Sequence, residues 1–128
     1  MDDNIALLMA LNSACDNNIM EIGQDSTTGV NYAKFNNGLA LQWGYKSGIK
    51  FEEAVIVSGD ITLFIPYESK PTAFISASTT ANSDYLFRCG ISPSNDYTKL
   101  NWTLASGSGT AISVTSRQFT WFVIGKWK

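Results

Sequence analysis

Apolar and polar residues alternate along most of this chain, most clearly in YAKFNNGLALQWG, residues 32–44. The dipeptide Asn37-Gly38 lies between two short apolar runs and supplies the positive φ angles of a tight hairpin turn. After the turn the alternation has the period of two that a strand requires. It places Leu39, Leu41 and Trp43 on one face and Ala40, Gln42 and Gly44 on the other. The segment therefore predicts a β-hairpin with one face built for a core.

The same alternation continues to the end of the chain. Strands recurring every ~8–12 residues, with turn residues between them, are typical of an antiparallel sandwich or barrel. They are predicted near residues 45–51, 54–57, 60–66, 72–78, 85–91, 100–105, 111–115 and 118–127. The inward candidates are Ile61, Leu63, Ile65, Ala73, Ile75, Ala77, Phe87, Cys89, Ile91, Leu100, Trp102 and Leu104. The last strand is apolar on both faces, which indicates that a subunit contact covers one of them.

The first residues follow a helical pattern instead. Asp2, Asp3 and Asn4 can cap a helix. Apolar residues at spacings of three and four form one stripe: Ile5, Leu8, Leu11, Cys15 and Ile19. The helix either packs on its own sheet or is the end of a trimeric coiled-coil stem, and the pattern favours neither. We therefore predict a helical lead-in at residues 1–23, a linker at 24–30, and an antiparallel β-sandwich at 31–128.

Composition excludes several classes of function. The 128 residues suffice for one domain. The net charge is −2, with no basic cluster to follow a phosphate backbone, so no nucleic-acid partner is predicted. The N-terminal apolar run is too short for a transmembrane helix and lacks the basic region of a signal peptide, so no membrane insertion is expected. Cys15 and Cys89 are interpreted as free, buried thiols.

Candidate chemistry is confined to polar loops. The chain has no histidine, which removes the commonest general base and transition-metal ligand, and it has no phosphate-binding glycine motif. No catalytic residue, metal or cofactor is predicted, and the chain is not expected to be an enzyme. Amide, carboxylate and aromatic groups form the mix that a glycan site needs, although the same residues are ordinary turn formers. The ligand-binding candidates are Asn82, Asp84, Tyr85, Asn95, Asp96, Tyr97, Lys99 and Trp102, of which Trp102 also fits a core position.

Both ends of the β region resemble those of the C-terminal domain of phage tail-fibre proteins. That domain opens with an aromatic residue, a lysine, Asn-Gly-Leu and Gln-Trp-Gly, and it closes with a phrase of the type Phe-x-Trp-x-x-Ile-Gly. The matching residues are Tyr32, Lys34, Asn37, Gly38, Leu39, Gln42, Trp43 and Gly44, followed by Phe119, Trp121, Ile124 and Gly125. They are interpreted as determinants of fold and assembly, so no binding residue is transferred from the family.

The resemblance implies a receptor-binding tip domain. Such a domain is a homotrimeric β-sandwich in the virion, made in the bacterial host cytoplasm and joined to the rest of the tail fibre. It attaches to a glycan or a protein of the bacterial surface. Two alternatives remain open: a monomeric bacterial carbohydrate-binding module, and a self-cleaving fibre chaperone domain.

Overall fold

A computed structural model describes residues 3–15, 19–78, 87–107 and 109–128. Its strands form two antiparallel sheets, of order β1-β2-β3-β8-β5 and β4-β7-β6. The elements are α1 (Asp3–Cys15), β1 (Ile19–Gln24), β2 (Asn31–Phe35), β3 (Leu39–Ala54), β4 (Ile56–Thr62), β5 (Thr72–Ser78), β6 (Phe87–Pro93), β7 (Lys99–Ser106) and β8 (Ile112–Lys126). The predicted all-β fold with a short N-terminal helix is confirmed.

One core lies between the two sheets. Strand β8, which lies between β3 and β5, contributes Phe119, Trp121 and Val123, and the ring centroids of Phe119 and Trp102 are 5.2 Å apart. Most of the predicted inward positions are confirmed. Leu63, Ile65, Leu100, Trp102 and Leu104 are buried, and Ile61, Ala73, Ile75, Ala77 and Ile91 pack partly buried against them. The side chain of Phe87 lies outside the described part of the chain.

The core-facing side of β3 carries its smaller and more polar residues. Ala40 and Gln42 are fully buried, whereas the larger Leu39, Leu41 and Trp43 are half-buried on the outer face of the five-stranded sheet. A polar residue is stable at this position because the Gln42 amide bonds to main-chain groups of the segment that follows β4. Hydrophobicity alone therefore points to the wrong face of this strand.

The β2–β3 hairpin is confirmed, but its turn differs from the prediction. The loop contains the three residues Asn36–Gly38, and the Gly38 N–H donates to the Phe35 carbonyl at 3.1 Å. Only Gly38 has a positive φ, 92°, while Asn37 accepts a bond from the Leu39 N–H at 3.0 Å. This is the three-residue connection in which a turn is followed by a left-handed glycine, rather than a two-residue Asn-Gly turn.

Several predicted strand boundaries are wrong. The predicted strands at 111–115 and 118–127 form one strand, β8, and residues 45–51 continue β3 without a break. Three register shifts between β3 and β8 let these long strands bend instead of ending. The predicted strands at 54–57 and 60–66 are replaced by the single strand β4, which runs through residues 58–60 and ends at Thr62, so residues 63–66 are not a strand.

The N-terminal prediction extended the helix too far. Residues Ile19–Gln24 form β1, which pairs with β2, so the predicted linker at 24–30 is a hairpin turn. Helix α1 lies against the outer face of the five-stranded sheet, where its Leu7 and Leu8 line a cavity of about 230 Å³ with Trp43 and Phe122. Among the described residues, none of the helical segments is long and apolar enough to cross a membrane.

The predicted burial of the cysteines is wrong for Cys89. Its thiol is free and exposed, although its cross-strand partner Leu104 is fully buried. Cys89 lies on β6, an edge strand of the smaller sheet, where it is less covered than Leu104 on the middle strand β7. The side chain of Cys15 lies outside the described part of the chain.

Candidate functional site

Among the predicted binding residues, Asp96 organises its own loop. Its Oδ1 accepts bonds from Thr98 Oγ1 at 2.7 Å, Ser94 Oγ at 2.8 Å and the Thr98 N–H at 3.2 Å. The bonds from Thr98 and Ser94 lower the pKa of Asp96 to about 2, because they stabilise the charged carboxylate. This oxygen is therefore committed to the geometry of the β6–β7 connection.

Tyr97 is held in the same loop by its backbone. It has a φ of 60°, in the left-handed region, and its carbonyl accepts a bond from the Tyr67 N–H at 3.3 Å. Its ring is half-buried against the core. Asn95 and Lys99 are exposed, and the Lys99 ammonium lies 3.8 Å from the Asp60 carboxylate. These two side chains are the loop candidates that face solvent most directly.

Trp102 occupies a core position. It is 6% exposed and packs on Phe119, and a Cβ added to Gly59 would lie 2.7 Å from its ring. The strand β4 passes so close to the indole that only glycine fits there. In this arrangement the ring serves packing. Asn82, Asp84 and Tyr85 lie outside the described residues.

The residues of the end motifs connect the two ends of the β domain. The Lys34 ammonium lies 4.7 Å from the ring centroid of Trp127 and 3.9 Å from the Glu21 carboxylate, which also accepts a bond from the Tyr32 hydroxyl at 2.8 Å. The main-chain N–H of Trp127 donates to the Gly38 carbonyl at 2.9 Å. The C-terminal segment is thereby fixed to the first hairpin.

The motif glycines are places of close approach. A Cβ on Gly44 would lie 3.1 Å from the Trp121 ring, and one on Gly125 would lie 2.8 Å from the Cβ of Pro71 and 2.9 Å from the Tyr67 ring. The contacts at Gly125 are shorter than a real Cβ makes, so something would have to move, whereas at Gly44 the Trp121 ring would have to shift by a few tenths of an ångström. The remaining apolar motif residues, Leu39, Trp43 and Ile124, are half-buried on the outer face of the five-stranded sheet.

A cleft of about 720 Å³ lies elsewhere on the described part of the chain. It forms where the β1–β2 turn, the middle of β3 and the end of β4 meet. Its lining residues are Gln24, Thr27, Thr28, Gly29, Val30, Asn31, Gly44, Tyr45, Lys46, Ser47, Asp60, Ile61, Thr62 and Trp121. We call it the turn cleft. Its wall combines hydroxyl, amide and charged groups with almost as much apolar surface, including two aromatic residues.

Sequence reasoning missed the turn cleft for two reasons. Its residues come from four segments that only the register of the two sheets brings together. In addition, the run of polar residues at 24–29 was interpreted as a linker, whereas it forms one wall of the cleft. Its composition, rich in amide and hydroxyl groups, is the one sequence signal that pointed here.

Among the described residues, histidine, cysteine, aspartate and glutamate form no group of three or more that could hold a metal ion. The ordered loop at Asp96 fits this result, because its ligand-like oxygen is already bonded to hydroxyl and amide hydrogens.

The structure is similar to two solved structures of pyocin tail fibres. The first is a C-terminal fragment of the R1 pyocin fibre of P. aeruginosa, with a TM-score of 0.53 and 13% identity, covering 89% of this chain and 30% of that chain. The second is an N-truncated R1-type pyocin tail fibre, with a TM-score of 0.52 and 11% identity, covering 91% of this chain and 94% of that chain. No protein-family model and no curated protein matches the chain. The chain thus has a fold found in tail fibres, and it spans 30% of the first of these fibre structures.

Proposed function

We propose that this chain is the tip domain of a tail fibre of a phage or phage-like particle, and that it attaches the particle to a bacterial surface. The observation that carries the proposal is the similarity to pyocin fibre structures over about nine-tenths of the chain. The end motifs support it independently, because they were identified from residues alone. The partners implied are the rest of the fibre and a receptor on the cell.

The domain works as a homotrimer in this proposal. The support is an apolar surface formed by the outer face of the five-stranded sheet and α1, on which Phe74 is 55% exposed, Leu7 59% and Met9 50%. The rings of Phe74 and Phe122 lie 6.0 Å apart, so the apolar surface continues from the edge strand β5 to its neighbour β8. A contiguous apolar surface of this kind is typical of a protein–protein contact.

The receptor in this proposal is a glycan, bound without catalysis. The chain has no histidine, and the exposed groups of its loops and turn cleft are amides, hydroxyls and carboxylates, which recognise sugar hydroxyls. Three sites on one rigid tip raise the effective affinity for a repetitive surface by avidity.

Two measurements test this proposal. Light scattering on the purified chain should give the mass of three 14.0 kDa subunits. Phe74→Asp should give monomers, whereas Ile56→Asp, at a position 59% exposed on the three-stranded sheet, should keep the trimer. A monomeric wild-type chain that binds free polysaccharide would favour the carbohydrate-binding module instead.

Attachment is measured with fluorescently labelled chain and a panel of bacterial strains in flow cytometry. Periodate oxidation of the cells should abolish binding, and protease treatment should not. The opposite pattern would identify a surface protein as the receptor. A labelled tail fibre known to bind one strain of the panel serves as the positive control. If that fibre binds its strain and the labelled trimer binds none, the result counts against an attachment role.

A further inference from the structure

We propose that the turn cleft is a saccharide-binding subsite. Its biological role rests on the proposed attachment function, but the binding itself is testable on the isolated chain. The volume of about 720 Å³ falls within the ~300–1,000 Å³ typical of small-ligand sites. The cleft is thus large enough for a sugar unit and its neighbours.

The hydrogen-bonding groups of the cleft are orientated by bonds made with their other atoms. The Gln24 amide nitrogen donates to the Gly29 carbonyl at 3.1 Å, and the Asn31 amide nitrogen donates to the Trp43 carbonyl at 3.3 Å. Each amide oxygen remains an acceptor with fixed direction. Sugar hydroxyls are donors as well as acceptors, so a cleft whose lining residues include these amides and the hydroxyl residues Ser47 and Thr62 matches them in chemistry.

The wall formed by the β1–β2 turn is rigid before any ligand binds. Asp25 Oδ2 accepts bonds from the Thr28 hydroxyl at 2.7 Å and the Thr28 N–H at 2.8 Å, and these bonds lower the pKa of Asp25. The Gly29 N–H donates to the Asp25 carbonyl at 2.8 Å, with Gly29 at a φ of 74°. A preformed wall reduces the entropy lost on binding, which matters for a weak ligand such as a sugar.

Aromatic surface in the cleft comes from Tyr45 and Trp121. Trp121 forms the floor beneath Gly44, whereas Tyr45, the next residue of β3, points to the opposite side of the strand and stands at the rim, 72% exposed. The apolar face of a pyranose packs on such rings. We assign the stacking contact to Tyr45, because Trp121 is only 5% exposed.

The charges in the cleft also suit a hydroxyl-rich ligand. The carboxylate of Asp60 is held 3.8 Å from the Lys99 ammonium, with both side chains about half exposed. A carboxylate in this position accepts two hydroxyl hydrogens from adjacent carbons of a sugar. Lys46 forms no ion pair with any described residue, and its ammonium is thus a donor for the ring oxygen or an acidic substituent.

The test uses the purified whole chain and an array of bacterial surface polysaccharides as the probe. Tyr45→Ala and Asp60→Asn should each lower the apparent affinity for the bound polysaccharide at least tenfold. Glu68→Gln and Lys70→Ala, which change exposed charges outside the cleft, should stay within twofold of the wild type. Melting curves establish that the variants are folded, and light scattering establishes that each has the oligomeric state of the wild type.

Amide chemical-shift mapping locates the ligand directly. Titration with the monosaccharides of the bound polysaccharide should shift amides of residues 24–31, 44–47 and 60–62. If wild-type chain binds the array while both cleft variants bind equally well, or while the shifts fall on residues 94–99, the turn cleft is not the subsite and the attachment function stands. If wild-type chain binds neither the array nor bacterial cells, the attachment function and the subsite are both overturned.

Discussion

Replacing Gln42 with methionine should destabilise the fold strongly, although methionine is apolar and has a similar length. Gln42 is fully buried, and its side-chain oxygen accepts bonds from the Phe64 and Ile65 N–H groups, both at 2.9 Å. Its amide nitrogen donates to the Ile65 carbonyl, also at 2.9 Å. The Gln42 side chain thus supplies to Phe64 and Ile65 the main-chain hydrogen bonds that a paired strand would supply.

The size of the effect follows from what methionine leaves behind. The N–H and carbonyl of Ile65 are buried, and each costs about 1–3 kcal/mol when it has no partner. Burying the methionine thioether instead of an amide offsets about 1–2 kcal/mol. The net loss should be about 2–4 kcal/mol, a large share of the ~5–15 kcal/mol that a domain has, and Tm should fall by about 10 °C.

Urea denaturation followed by circular dichroism measures this loss at one fixed chain concentration, since assembly contributes to the apparent stability. Gln118→Met is the matched control, because Gln118 is exposed on β8, and it should change the free energy of unfolding by less than about 0.5 kcal/mol. A Gln42→Met loss below about 1 kcal/mol, or one equal to that of the control, would refute the assigned role of the amide.

Three smaller predictions concern single groups. Gly125→Ala should lower the free energy of unfolding by about 1–3 kcal/mol, because the new Cβ would lie 2.8 Å from Pro71. Gly90→Ala is the control: no described atom lies within 4 Å of its Cβ, so the same melting experiments should show no steric loss. Burial raises the pKa of Tyr67 to about 12, so the stabilisation that its neutral hydroxyl gives is complete below pH 10 and is lost as the pH rises to about 12. Over this range the wild type should lose about 2–3 kcal/mol more unfolding free energy than Tyr67→Phe. Parallel pH profiles of the two proteins would contradict this. The Asp96 carboxyl carbon should titrate by NMR with a midpoint of about 2, and a midpoint near 3.8 would remove the hydrogen bonds assigned to it.

The fold class was predictable because strand periodicity is a local signal. The segment at residues 72–78 was predicted with the bounds of β5, Thr72–Ser78. The buried face of β3 was not predictable in this way, because Gln42 is buried only in the presence of Ile65, 23 residues later. Local hydrophobicity ranks Leu41 above Gln42, and only the tertiary partner reverses the order.

The long strands were missed for a related reason. Gly48 and Gly59 have the local character of turns, but Gly48 takes a φ of 69° within a bulged region of β3, and Gly59 continues β4 where it passes Trp102. A glycine ends a strand or lets it continue past a bulky neighbour, and the sequence alone does not distinguish the two. Similarly, Ile19 extends the helical stripe in sequence but pairs with Phe35 in the sheet.

The candidate site shows a division of labour that these positions explain. Gln42, Gly44 and Gly125 face the interior or leave space for an aromatic ring, so changing them alters the fold. Tyr45, Lys46 and Asp60 lie beside them in sequence or space but are exposed, so they are free to change without disturbing the core. Because side chains alternate along β3, one strand carries both sets, and each structural residue positions the exposed residue next to it. Under the proposed function, substitutions in the turn cleft change the ligand while the core and the motif residues stay the same.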